Sequence, residues 1–154
     1  MKRIKAILLM ITMISGLVFA SNKKVLAAET GECVDGSYLI EEDCSEGEAV
    51  NRTRGMYLKS GTSSIVKEGT GKITAGGRTI GQVVVSKIVV AVRVERLVNG
   101  SWETYTSWSA TNYNSALVST SKTLNVPIGY YYRVYSTHAA NSDSSDSYTN
   151  GIHI

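Results

Sequence analysis

Residues 83–108, "VVVSKIVVAVRVERLVNGSWETYTSW", decide how this 154-residue chain folds. Val84, Ile88, Val90, Val92 and Val94 share one parity, and Lys87, Arg93 and Glu95 share the other. That alternation predicts a strand with one apolar and one wet face. Asn99-Gly100 follows, the strongest short hairpin signal, and 101–108 returns. Two registers are open. A two-residue loop pairs Val98 with Ser101 and puts Trp102 and Trp108 on the charged face. A three-residue loop with a glycine bulge pairs Leu97 with Ser101 and puts both indoles on the valine face. Burying two indoles contributes several kcal/mol by area, so the bulged register is favoured. The other would leave an exposed aromatic platform of the kind that meets a partner.

Outward from this hairpin, no segment beyond residue 28 keeps a 3.6-residue apolar period. Short strands are predicted over 56–61, 63–69, 71–77, 117–126, 130–138 and 148–154. Gly, Asn and Ser clusters bound them, with polar stretches at 109–116 and 139–147. This predicts an all-β fold, an antiparallel sandwich filling 49–154. The stretch Leu124-x-Val126-Pro127-x-Gly129-Tyr130-x-Tyr132-x-Val134 resembles the corner of immunoglobulin-like and fibronectin type III sandwiches. There a tyrosine bonds back to upstream backbone, a part for Tyr130 or Tyr132. The resemblance implies an immunoglobulin-like sandwich and says nothing of function.

The chain opens with Lys2, Arg3 and Lys5 before an apolar run over 6–20, shorter than a membrane span. Small residues follow at sites suited to cleavage between Ala20 and Ala28, best near Ala27. Residues 1–27 are therefore expected to be a signal peptide, helical in its apolar run, and the remainder secreted, without a stable membrane anchor. The formal charge of +3 includes five of the 16 basic residues in those 27 positions; the rest carries 11 basic and 13 acidic residues, net −2. Eight of the acids lie within 29–48, which has no Lys or Arg. Residues 28–48 thus read as a flexible acidic leader, or as a pro-segment masking a basic domain. Cys33 and Cys44 both lie in that leader, where an oxidising compartment allows a disulfide between them.

The chemistry-bearing residues are sparse. His138 and His153 read as strand-end or surface histidines, and no serine sits in a nucleophile elbow. Asn141, Asp143 and Asp146 are too few and wrongly spaced for a calcium loop. Two thiols with no nearby histidine make no closed zinc site. The glycines of 69–77 lack the Gly-Lys-Ser/Thr of a phosphate loop. No basic run suggests nucleic acid. The chain is therefore expected to have no catalytic residues, metal or cofactor. In 130–135, Tyr130, Tyr132 and Val134 share the inward parity, which leaves Tyr131, Arg133 and Tyr135 outward. With Trp102 and Trp108 these form the candidate binding surface for a cell-surface glycan or protein, since Tyr, Trp and Arg are enriched where proteins bind. The contrasting reading is that Tyr131 and Tyr135 merely sandwich Arg133 by cation–π contact. The alternative function is a secreted antimicrobial or toxin-like protein unmasked by loss of its acidic segment.

The segments "GECVDGSYL", "SIVKEGTGKITAGG", "NGSW", "STSKTLNV", "GYYYRV" and "YTNGIHI" together resemble a family of small secreted bacterial proteins of clostridial type. That family is known only as domain of unknown function 6147. The resemblance implies secretion and carries no activity and no site residues.

Overall fold

The computed structural model describes residues 28–49 and 55–154; the expected signal peptide, 1–27, lies outside the described residues. Among these residues nine strands follow one another: β1 Cys33–Val34, β2 Ser37–Ile40, β3 Cys44–Glu48, β4 Leu58–Gly69, β5 Lys72–Val98, β6 Ser101–Asn125, β7 Tyr131–Ala140, β8 Asp143–Tyr148 and β9 Gly151–His153. The described residues contain no helix, and so none long and apolar enough to cross a membrane.

The fold is all-β, as the alternation predicts, but its strands belong to one curled, mixed sheet. Their order is β1-β2-β9-β7-β5-β4-β3, with β6 along the other side of β5 and β8 beside β7. The β2–β9 pair is parallel and the others are antiparallel. This hydrogen-bonded continuity differs from the expected pair of separate antiparallel sheets.

The reason lies in β5. The segments 71–77 and 83–98, read as two strands, are one. Its first half pairs with β4 and its second half with β7, while β6 follows both. The β5–β6 ribbon bends where residues 81–84 stand against Ala116 alone, between the pairs Ile80↔Leu117 and Val85↔Ser115. The bend folds the sheet onto itself. A Cβ on Gly77 would lie 2.9 Å from both Val90 Cγ2 and Ser136 Oγ, so the absent side chain lets the halves approach. Ile65, Ile73 and Ala75 from one half meet Val90, Val92, Val94 and Val134 from the other in the buried core. The bend also resets the parity. Val85 is buried, whereas Val84, expected inside, is 67 % exposed.

Three polar stretches differ from their reading. Residues 109–116 belong to β6, and 143–147, expected as loop, belong to β8. Most of their polar side chains sit on exposed strand faces that water can solvate, and Ser147 turns inward to buried hydrogen-bond partners, so low hydropathy does not prevent pairing. The acidic leader is the third correction: it is not a flexible segment. β3 pairs with β4 from Cys44↔Val66 to Glu48↔Thr62, and β2 lies on β9 through Leu39↔Gly151. Ser37, Leu39 and Ser45 turn inward while the acids around them face out, so eight carboxylates are carried on a half-buried edge. Cys33 and Cys44 are free, exposed thiols in this structure, on strands at opposite ends of the sheet order, and the expected disulfide is not formed.

Candidate functional site

The hairpin after β5 sets the site. Asn99 and Gly100 have φ of 50° and 77°, and Val98 pairs with Ser101, so the loop is the two-residue one and the favoured bulged loop is corrected. The extra residue appears further on. Val94 pairs with Thr106 and Glu95 with Thr104, which leaves Tyr105 as a bulge in β6. The bulge separates the two indoles. Trp102 stays opposite Leu97, on the face of Glu95 and Arg93. Trp108 lies opposite Val92 and packs on the core, its Nε1 donating to Thr120 Oγ1 at 3.2 Å. Neither register alone places both.

On the outer face a ladder of rings and charges crosses the sheet. Arg133 stacks beneath Trp102, 4.6 Å from its ring centre, with Tyr148 on another side at 5.6 Å. Tyr148 stacks on Tyr135 at 6.3 Å, and Arg93 lies 4.5 Å over Tyr135. Glu95, 5 % exposed, joins the two cations: Arg93 Nε donates to Oε1 and Arg133 Nε to Oε2, each at 2.7 Å. Arg133 is only 3 % exposed. A buried guanidinium is tolerable only when paired and hydrogen-bonded, and here the acidic segment completes the pairing. Arg133 Nη1 donates to Asp35 O (2.9 Å) and Ser37 Oγ (3.0 Å), and Nη2 to Asp35 Oδ2 at 3.2 Å.

Asp35 and Gly36 reach that position because they form a two-residue hairpin turn with φ of 47° and 81° between Val34 and Ser37. The turn fits closely. A Cβ on Gly36 would fall 2.6 Å from the Tyr148 hydroxyl, and Trp102 Nε1 donates to Val34 O at 2.9 Å. The Asp35-Gly36 dipeptide could have marked this turn in the sequence. Its docking on Arg133, 98 positions away, has no local signal.

Of the five residues expected to form one exposed surface, the structure brings Trp102, Arg133 and Tyr135 together and separates two. Trp108 faces the core. Tyr131 lies toward β9, packed edge-on to His153 at 5.0 Å, with its hydroxyl 3.0 Å from Thr30 Oγ1. Arg133 is sandwiched by Trp102 and Tyr148, not by Tyr131 and Tyr135. What remains open is a groove of about 450 Å³ floored by the ladder, walled by Trp102 and Tyr135 and roofed at one end by Val34 and Asp35. A second depression of about 370 Å³ continues it along the sheet, sharing Arg93 and Tyr135 and ending at Ser107, Ser109 and Thr137. Burial, helped by the Asp146 carboxylate, raises the Tyr135 phenol above its ordinary value and keeps it neutral.

His138 is the second correction of a side chain. It is not at the surface but fully buried, with Nδ1 2.8 Å from Thr79 Oγ1 and Nε2 2.7 Å from Ser147 Oγ. Thr79 donates its proton to Val89 O, so in the neutral ring Nδ1–H donates to Thr79 and Nε2 accepts from Ser147. The hydroxyls of Ser63 and Ser147 are 2.7 Å apart, and those of Ser63 and Ser136 are 2.8 Å apart. Ser147 and His138 have the spacing of a nucleophile and its base, and both are buried in the core. Burial lowers the imidazole pKa from 6.5 to about 4, against the opposing pull of Asp146. Among the described residues no three metal-ligating side chains converge. Asp143 instead accepts from the backbone N–H groups of Tyr57 (2.6 Å) and Leu58 (3.0 Å).

The expected tyrosine corner is present. Tyr132, fully buried, donates its hydroxyl to Pro127 O at 2.8 Å. Together these features define an all-β protein with a curled sheet and a polar–aromatic groove on its outer face. The chain belongs to the family of unknown function DUF6147, whose sequence pattern matches residues 26–152. No curated protein matches it.

Proposed function

We propose that this protein is exported and serves outside the cell as a non-enzymatic binding module whose ligand is a glycan. The observation that carries the reading is the groove over the Trp102–Arg133–Glu95–Arg93–Tyr135 ladder. Its walls offer aromatic surface for sugar rings, and its floor offers guanidinium donors and a carboxylate acceptor for hydroxyls. The floor groups are held by one another, so a ligand meets a preformed surface and the cost of ordering it is small. The basic start and short apolar run of the sequence support export, and the bent, single sheet supports a sandwich-like arrangement of its halves.

The test is binding of the purified protein to a panel of bacterial and host glycans, repeated with Tyr135→Ala and Arg93→Ala. Both residues are partly exposed and line the groove. Binding to a defined set of glycans, lost in both variants while the fold persists, is the expected result. Absence of binding across the panel, or binding indifferent to both variants, would sink the reading.

A further inference from the structure

The bend leaves one feature that the groove does not use. β6 pairs with β5 along its whole length, and among the described residues no strand lies on its other edge. An edge of 25 residues is long for a globular protein, where unpaired strand edges are kept short or guarded by charge and proline. β6 has no proline, only two charged side chains, Glu103 and Lys122, and the single bulge at Tyr105 near one end. Eleven of its 25 residues are exposed Ser, Thr and Asn, which tolerate a neighbouring strand without specifying against one.

The shape of this edge narrows what can cover it. β6 turns back on itself near Asn114, whose φ is 49°. Its arms, 101–111 and 117–125, run in opposite directions, one on each half of the sheet. Trp108 and Thr120, six positions either side of Asn114, meet across the fold. A rotation of 180° about the line through this bend carries each arm onto the other with its direction reversed. Such an edge is complementary to itself. A second copy can lie with its first arm antiparallel to the second arm of its mate, twice over, and extend both halves of the sheet.

Charge selects the same arrangement. Glu103 is the only charge on the first arm and Lys122 the only one on the second. Both are exposed, and neither forms an ion pair among the described residues. Pairing unlike arms sets each acidic arm against a basic one, whereas pairing like arms would oppose two glutamates and two lysines.

We propose that β6 is the surface by which two copies of this chain associate, first arm to second arm, through backbone hydrogen bonds across a two-fold axis. The test is sedimentation of the purified protein over a range of concentrations under reducing conditions, which removes any link through Cys33 and Cys44. A dimer is expected. Glu103→Lys and Lys122→Glu each set like charges on facing arms and weaken it by roughly tenfold, through two cross-strand pairs. The double exchange, Glu103→Lys with Lys122→Glu, restores it. Both positions are exposed, and circular dichroism checks that each of the three variants keeps its strands. A monomer up to about millimolar concentration overturns the proposal. So does a dimer of equal affinity in wild type and all three variants.

Discussion

Lowering the pH should destabilise this fold through one buried ring. His138 is neutral inside the core, where its pKa lies at about 4 against 6.5 in the unfolded chain. Between those values the unfolded state binds a proton that the folded state refuses. Stability is therefore fully present above pH 6.5, falls as the pH drops toward 4, and stops falling from this cause below that. At ~1.4 kcal/mol per pK unit, the group accounts for ~3 kcal/mol over that interval. That is a large part of what a small domain has. Urea unfolding at a series of pH values reads it as a midpoint that falls by roughly 1–3 M for an ordinary denaturant slope. Other groups titrate over the same range, so the decisive quantity is the difference from His138→Gln, which keeps a polar side chain beside Ser147 and has nothing to protonate. The variant starts less stable at pH 7 and its curve is flatter by about 3 kcal/mol. If the two curves run parallel, or if the imidazole titrates near 6.5 by NMR, the burial argument is wrong.

Glu95→Ala leaves the buried Arg133 with one carboxylate partner fewer, and should cost about 3–5 kcal/mol in denaturant unfolding. Arg93→Ala, at the exposed end of the same bridge, should cost under about 1 kcal/mol. Gly61→Ala drives a Cβ to 2.2 Å from the His138 ring and should lose about 1–3 kcal/mol, read as a fall in Tm. Tyr132→Phe removes the hydroxyl that bonds Pro127 O, at a cost of about 1 kcal/mol with the same sheet content by circular dichroism.

The sequence made legible what repeats locally. Alternation in 88–94 marked the buried face, Asn99-Gly100 marked the hairpin, and Pro127 with the tyrosines marked the corner. Features set by distant geometry were not legible. A bulge at Tyr105 exchanges the faces of residues on its two sides, yet nothing in "ETYTS" announces an unpaired residue. The Val84 error has the same origin, since parity is counted along an unbroken strand and the bend breaks it. The acidic segment reads as mobile by composition, because block charge hides its few inward positions. Its inward Ser37, Leu39 and Ser45 hold it to the sheet, and Asp35 neutralises a cation that the sequence places far away. Arg133 and Tyr135 were found as site residues by parity. Glu95, Arg93 and Tyr148, which complete the ladder, lie on other strands and become neighbours only through the sheet order.

The parallel pairing of β2 with β9 has a consequence in time. Leu39 finds its neighbour at Gly151, so β2 has no partner on that edge until Gly151 has been synthesised. The ordering of the Asp35 turn waits on the same event, because the Arg133 strand and Tyr148 arrive late as well. Contacts this remote in sequence form slowly. In such a fold the junction of β2 with β9 can close only once residues 151–153 are present. Truncating the chain by the last few residues should therefore unseat the N-terminal hairpin as well as the strand removed.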